Sequence, residues 1–151
     1  MKTLCDKKEN LALIHYGAVA YDPAQFKPIK DEHWIKPRGG LWTSPVDSTW
    51  SWRHWCETED YLTGSLTKCF TVSFSGNVLV IDCLKDLDKL PWIDSLNFPL
   101  FECLEYMGVQ AIHLTVRGQE ETRHSRPRNL YGWDCESVLV MDPDAIHPIE
   151  I

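Results

Sequence analysis

The sequence predicts a single α+β domain, and three observations carry that prediction. A chain of 151 residues is long enough for one real core and short for two. Its apolar runs are mostly brief and bounded by Gly, Pro, Asn and Asp, the pattern of strands ended by turns. Two or three helical stretches interrupt these runs, but not in the regular strand–helix–strand alternation that builds a parallel sheet.

The elements follow in order. Residues 11–18 (LALIHYGA) form a short apolar run that ends in glycine and reads as a buried strand. The segment YDPAQFKPIKDEHWIKPRGG, with three prolines and mixed charge, reads as a loop. LWTSP follows as a second short strand. In DSTWSWRHWCETEDYL, Asp47 or Ser48 offers a cap ahead of Trp52, Trp55 and Cys56, which suggests an amphipathic helix. CFTVSF (69–74) alternates as a strand should, and SGN reads as a turn into a further strand, VLVIDC (78–83). DLDKLPWIDSL reads as a short helix broken at Pro91, and FPLFECLEYMG (98–108) as a helix stopped by Gly108. VQAIHLTV is a strand, RGQEETRHSRPRNLYG a polar loop, and WDCESVLVMD a long final strand before PDAIHPIEI.

Charge and composition narrow the function classes. The formal net charge of −7 disfavours sequence-independent binding to nucleic acid, which needs a broad basic face. The six cysteines include no C-x-x-C pair and no metal-ligand spacing with histidine, so no metal site is expected. No apolar run is long enough to span a bilayer, and the polar MKTLCDKKEN lacks the apolar stretch of a signal peptide. A reduced, cytoplasmic setting without membrane partners is the expectation. Phosphate-loop, H-E-x-x-H and G-x-S-x-G patterns are all missing. Seven tryptophans are a heavy aromatic load, suited either to a core or to a pocket that stacks on flat ligands.

Three segments carry chemistry: LIHYG, GGLWTSP and DCESVLV. Read from the residues alone, each has a plain alternative. His15 suits a sugar diol, because a neutral imidazole offers one donor and one acceptor, or it is a satisfied core histidine. Gly39 and Gly40 either form a hairpin turn anchored by Trp42 or let backbone approach a flat ligand. Glu136, next to the apolar Val138-Leu139-Val140, is a carboxylate that needs a partner or a task.

Together these segments resemble the ADP-ribosyltransferase fold family, over roughly residues 11–151. GVQAIHLTV followed by ESVLVMDPDAIHPI is similar to that family's C-terminal pattern. The resemblance implies a split, two-sheet β core with two or three flanking helices and NAD, as substrate, held in the cleft between the sheets. It implies that His15, Tyr16 and Gly17 meet the ribose and that Gly40, Leu41, Trp42, Thr43 and Ser44 line the nicotinamide site. It implies that Glu136 accepts a hydrogen bond from the nicotinamide ribose as the C–N bond breaks. Trp42 would stack on the cationic ring, a contact of about 0.5–2 kcal/mol. The family most often has tyrosine there or a Ser-Thr-Ser stretch; this chain has Trp42-Thr43-Ser44. Arg38 would approach the pyrophosphate. Asp134, two residues before Glu136, either orients an acceptor or caps a turn.

The loop with Arg117, Arg123, His124, Arg126 and Arg128 is either a solvated basic loop or, by its position in the resembled fold, the acceptor-recognising loop. Its guanidinium groups would favour an acidic or phosphate-bearing macromolecule. The implied activity is mono-ADP-ribosyl transfer to a protein or nucleic acid, as in bacterial or viral toxins and effectors. NAD glycohydrolysis and a non-catalytic binding or inhibitor module on the same scaffold are the alternatives.

Overall fold

The computed structural model describes residues 7–32, 35–93 and 98–149. Nine elements frame it: β1 (Lys7–Tyr16), β2 (Leu41–Pro45), α1 (Trp52–Glu59), β3 (Cys69–Ile81), α2 (Phe101–Tyr106), β4 (Ala111–Leu114), α3 (Val116–Thr122), β5 (Ser137–Val140) and β6 (Ile146–Pro148). The α+β class is as the sequence predicts. Five strands close on one another in the order β1-β2-β5-β4-β3, and β3 returns to β1 along ten paired residues. β6 adds antiparallel to β3, and β3–β4 is the parallel pair.

Two apolar clusters stabilise this barrel-like sheet. One, inside the ring, gathers Leu13, Val72, Phe74, Val78, Val138 and Val140. The other lies beneath the helices and includes Leu79, Ile81, Phe101, Leu104, Leu139 and Trp133. Alternation along the strands assigns neighbours such as Val138 and Leu139 to opposite clusters. Among the described residues, no helix is long and apolar enough to cross a membrane.

Several elements differ from expectation, each for a local reason. SGN is not a turn: β3 runs unbroken through it, because Ser75, Gly76 and Asn77 pair with Asn10, Glu9 and Lys8 of β1. Gly76 leaves room for the Gln110 side chain. A Cβ there would lie 2.5 Å from Gln110 Oε1, and that oxygen accepts the Asn77 amide at 2.8 Å. The expected loop after β4 opens with α3, because Thr115 accepts the Gly118 amide at 3.0 Å and starts a helix. The cap of α1 is Ser51 rather than Asp47 or Ser48, with the Ser51 amide donating to His54 Nδ1 at 3.0 Å. The last long strand shortens to four residues, since Glu136 instead donates its amide to Trp50 O at 2.8 Å. The short helix before Pro91 is a 3-10 turn over Leu84–Lys89, and residues 94–96 of that expected helix lie outside the described residues.

Candidate functional site

β1 and β2 meet over only two residue pairs, Leu13 with Pro45 and Ile14 with Ser44. A cavity of about 350 Å³ opens at this seam, within the size range of small-ligand sites. Its walls include His15, Tyr16 and Gly17 from the end of β1, Trp42, Thr43 and Ser44 from β2, and Trp133, Asp134, Cys135 and Ser137 ahead of and in β5. All three motifs singled out in the sequence therefore contribute to one space, the third through Asp134, Cys135 and Ser137.

His15 is held firmly. Its ring stacks on Phe70 at 5.0 Å and 27°, and its Nδ1 donates to Trp42 O at 2.7 Å. A carbonyl only accepts, so Nδ1 carries a proton, and in the neutral ring Nε2 is the acceptor. Beyond it Gly17, at φ +114, donates to Lys68 O at 2.7 Å and turns the chain out of β1.

Trp42 packs edge-on against Trp133, with ring centres 4.8 Å apart at 70°, and the Lys36 amine lies 4.7 Å from the Trp42 ring centre. The ring thus already attracts a cation at the cavity wall. The neighbouring hydroxyls fasten the strand. Thr43 Oγ1 donates to Val138 O at 2.7 Å; Ser44 Oγ donates to Glu136 O at 2.9 Å and accepts the Trp52 amide at 3.2 Å.

Asp134 is the acidic residue of this lining, and Arg123 pairs with it at 3.0 Å, both four-fifths buried. Burial pushes its carboxyl above the usual aspartate range, against the pull of Arg123 and Lys36. Cys135 beside it is pushed up by burial to about 11, so its thiol stays protonated and unreactive at neutral pH.

Glu136, expected beside His15 and Trp42, is not among the cavity residues. Successive side chains alternate here: Cys135 and Ser137 face the cavity, and Glu136 turns the other way to meet His113 Nε2 at 2.7 Å. Burial raises its carboxyl pKa, but hydrogen bonds from His113 and Ser48 outweigh it and hold Glu136 below the ordinary glutamate value.

The other expected residues scatter. Gly40 and Leu41 line a neighbouring cavity of about 330 Å³ with Tyr21, Phe26 and Phe70, and His15 lines that one too. Arg38 is exposed and pairs with Glu32 at 3.3 Å. Arg126 lines a third cavity with Arg123. Arg128 lies 5.2 Å over Trp92, away from all three.

Sequence reading missed Lys36, Trp52, Leu62, Ser65 and Trp133 as wall residues. The tryptophan count was the available signal for two of them. Leu62 is the least conventional, with φ +49 and 55% exposure at the cavity wall. No group of three or more His, Cys, Asp or Glu suited to a metal occurs among the described residues. Comparison with protein-family models, with curated proteins and with solved structures found no match.

Proposed function

We propose that the chain binds NAD across the seam and breaks its nicotinamide–ribose bond, in the manner of the ADP-ribosyltransferases it resembles. The observation that carries this reading is the position of His15 as the shared wall of two ring-sized cavities. A dinucleotide has two flat ends joined through sugars, and an imidazole with a free Nε2 acceptor between two aromatic-walled spaces suits the sugar.

The nicotinamide end belongs in the cavity of Trp42, where a cationic ring would replace the Lys36 amine; the adenosine end would lie against Phe70, Phe26 and Tyr21. As the C–N bond lengthens, positive charge grows on the ribose. Asp134 is the carboxylate on that side of the strand, and an anion in a partly buried site stabilises such charge. The split two-sheet core belongs to this proposal as well. In it, the two-pair β1–β2 contact would be the cleft between the sheets. The acceptor in this reading is a macromolecule.

A second reading, a binding module without chemistry, is favoured by one observation: Glu136 is engaged with His113 and does not face the cavity. A paired experiment separates the two. At one hundred times its dissociation constant NAD would stabilise the fold by about 2.7 kcal/mol, raising the melting temperature by roughly 5–10 °C. Chromatography would show nicotinamide accumulating, at least about a hundredfold more slowly in Asp134→Asn if loss of that anion removes about 2.7 kcal/mol of transition-state stabilisation. A thermal shift without nicotinamide release supports the binding module. No shift at millimolar NAD refutes the NAD reading, and co-purification of a partner protein then supports a module that binds that partner.

A further inference from the structure

A further cavity adjoins the one at the seam. It encloses about 380 Å³ between Ile35, Arg123, His124, Arg126, Asn129 and Tyr131. The Arg123–Asp134 ion pair joins the two spaces, since Asp134 lines one and Arg123 the other. The NAD chemistry proposed above does not use it.

Its lining holds two guanidinium groups and an imidazole, and no carboxylate. Asp134 neutralises Arg123 from the far side. Arg126, by contrast, is exposed and has no hydrogen bond or ion pair with any described residue. On a chain of net charge −7, such a concavity attracts anions locally while the surface at large repels them. A guanidinium fork matches phosphate oxygens with paired donors.

An aromatic surface stands beside these charges. Tyr131 is 59% exposed, with Arg123 at 5.8 Å and the His124 ring at 5.7 Å supporting it. A ring supported from within and open to solvent is a platform for a flat base. The loop that presents both groups is tied down in advance. Ser125 Oγ donates to Arg128 O at 2.6 Å, Asn129 Nδ2 donates to Ser125 O at 3.3 Å, and the Tyr131 amide donates to Asn129 Oδ1 at 3.0 Å. Little ordering entropy remains to oppose binding.

We propose that this cavity binds a nucleoside monophosphate unit, its phosphate on Arg126 and His124 and its base on Tyr131. The unit is either a free nucleotide or the phosphorylated end of a nucleic-acid strand. The site needs no NAD.

Titration of the full chain with adenosine monophosphate, adenosine and a 5′-phosphorylated oligonucleotide, followed by backbone amide NMR, tests this. Adenosine monophosphate is expected to shift amides within residues 123–131 and to bind at least about tenfold tighter than adenosine, the value of a single charge-assisted contact. Arg126→Gln and Tyr131→Ala should each weaken it at least about threefold while leaving the melting temperature within about 2 °C, as expected for exposed positions. Tighter binding of the oligonucleotide assigns the site to strand ends; tighter binding of the mononucleotide assigns it to free nucleotide. Shifts confined to residues 14–17 and 42–44, or equal affinities in Arg126→Gln and wild type, overturn the proposal.

Discussion

Replacing Gly39 by alanine tests how the fold delivers Trp42 to the cavity. Gly39 sits at φ +81, and an added Cβ would lie 2.1 Å from Pro28 O and 2.9 Å from Lys27 O. Both contacts are backbone, so no side chain can swing away. The left-handed conformation alone costs an L-residue about 1–2 kcal/mol. Relieving the clash means moving residues 27–30 away from 38–40. Those segments are joined by Lys30 N to Arg38 O and Arg38 N to Lys30 O at 3.0 Å, and by Gly40 N to Lys27 O at 2.8 Å. Losing one or two of these bonds adds about 1–2 kcal/mol, for a total of about 2–4 kcal/mol. For a domain of this size that lowers the melting temperature by roughly 5–15 °C. Scanning calorimetry of Gly39→Ala beside Gly64→Ala provides the measurement. Gly64 has open space around its Cβ direction and no left-handed φ, so alanine there should stabilise by about 0.4–1 kcal/mol. If Gly39→Ala melts within about 2 °C of wild type, the close-approach account of the glycine pair is wrong.

Other outcomes follow from the same geometry. Thr115→Ala removes the α3 cap and also a hydroxyl that donates to Asp82 Oδ1 at 2.7 Å, so urea unfolding should show a loss of about 1–2 kcal/mol. Glu136 has a lowered folded pKa, so its contribution is present above its unfolded value near 4.3 and vanishes as pH falls through the folded one. Glu136→Gln should therefore be less stable than wild type at pH 7, with the gap narrowing as pH falls below about 4.3; an unchanged gap would contradict the His113–Glu136 assignment. Iodoacetamide labelling read by mass spectrometry should modify the exposed Cys69 and Cys103 well before the buried Cys56 and Cys135, and early labelling of Cys135 would contradict its burial.

The β2 strand is legible in the sequence because Gly39-Gly40 and the proline at position 45 bound it on both sides. His15 and Trp42 stand out for a related reason: one ends an apolar run and the other follows a glycine pair, although the residues alone leave open whether each serves a core or a pocket. Gly76 and Gly118 mislead for the opposite reason. Each looks like a breaker, yet each is small because a partner distant in sequence, Gln110 or the Ile81 carbonyl, passes where a Cβ would be. The orientation of Glu136 is illegible because it precedes β5, where a hydrogen bond from its backbone N–H to Trp50 O, distant in sequence, helps set how the chain enters the strand. Ring closure depends on pairings such as Trp42 with Leu139, which no local pattern encodes.

That last pairing sets the order in which the molecule can be made. On a ribosome, β1 and β3 can zip together early, but Leu41–Thr43 must wait for residues 138–140 to emerge before they find a neighbour on that side. Until then the aromatic wall of the seam has no second side, and nascent chains would expose Trp42. Synthesis speed across residues 46–137 therefore governs how long this greasy, half-built surface is available to chaperones or to other copies of itself.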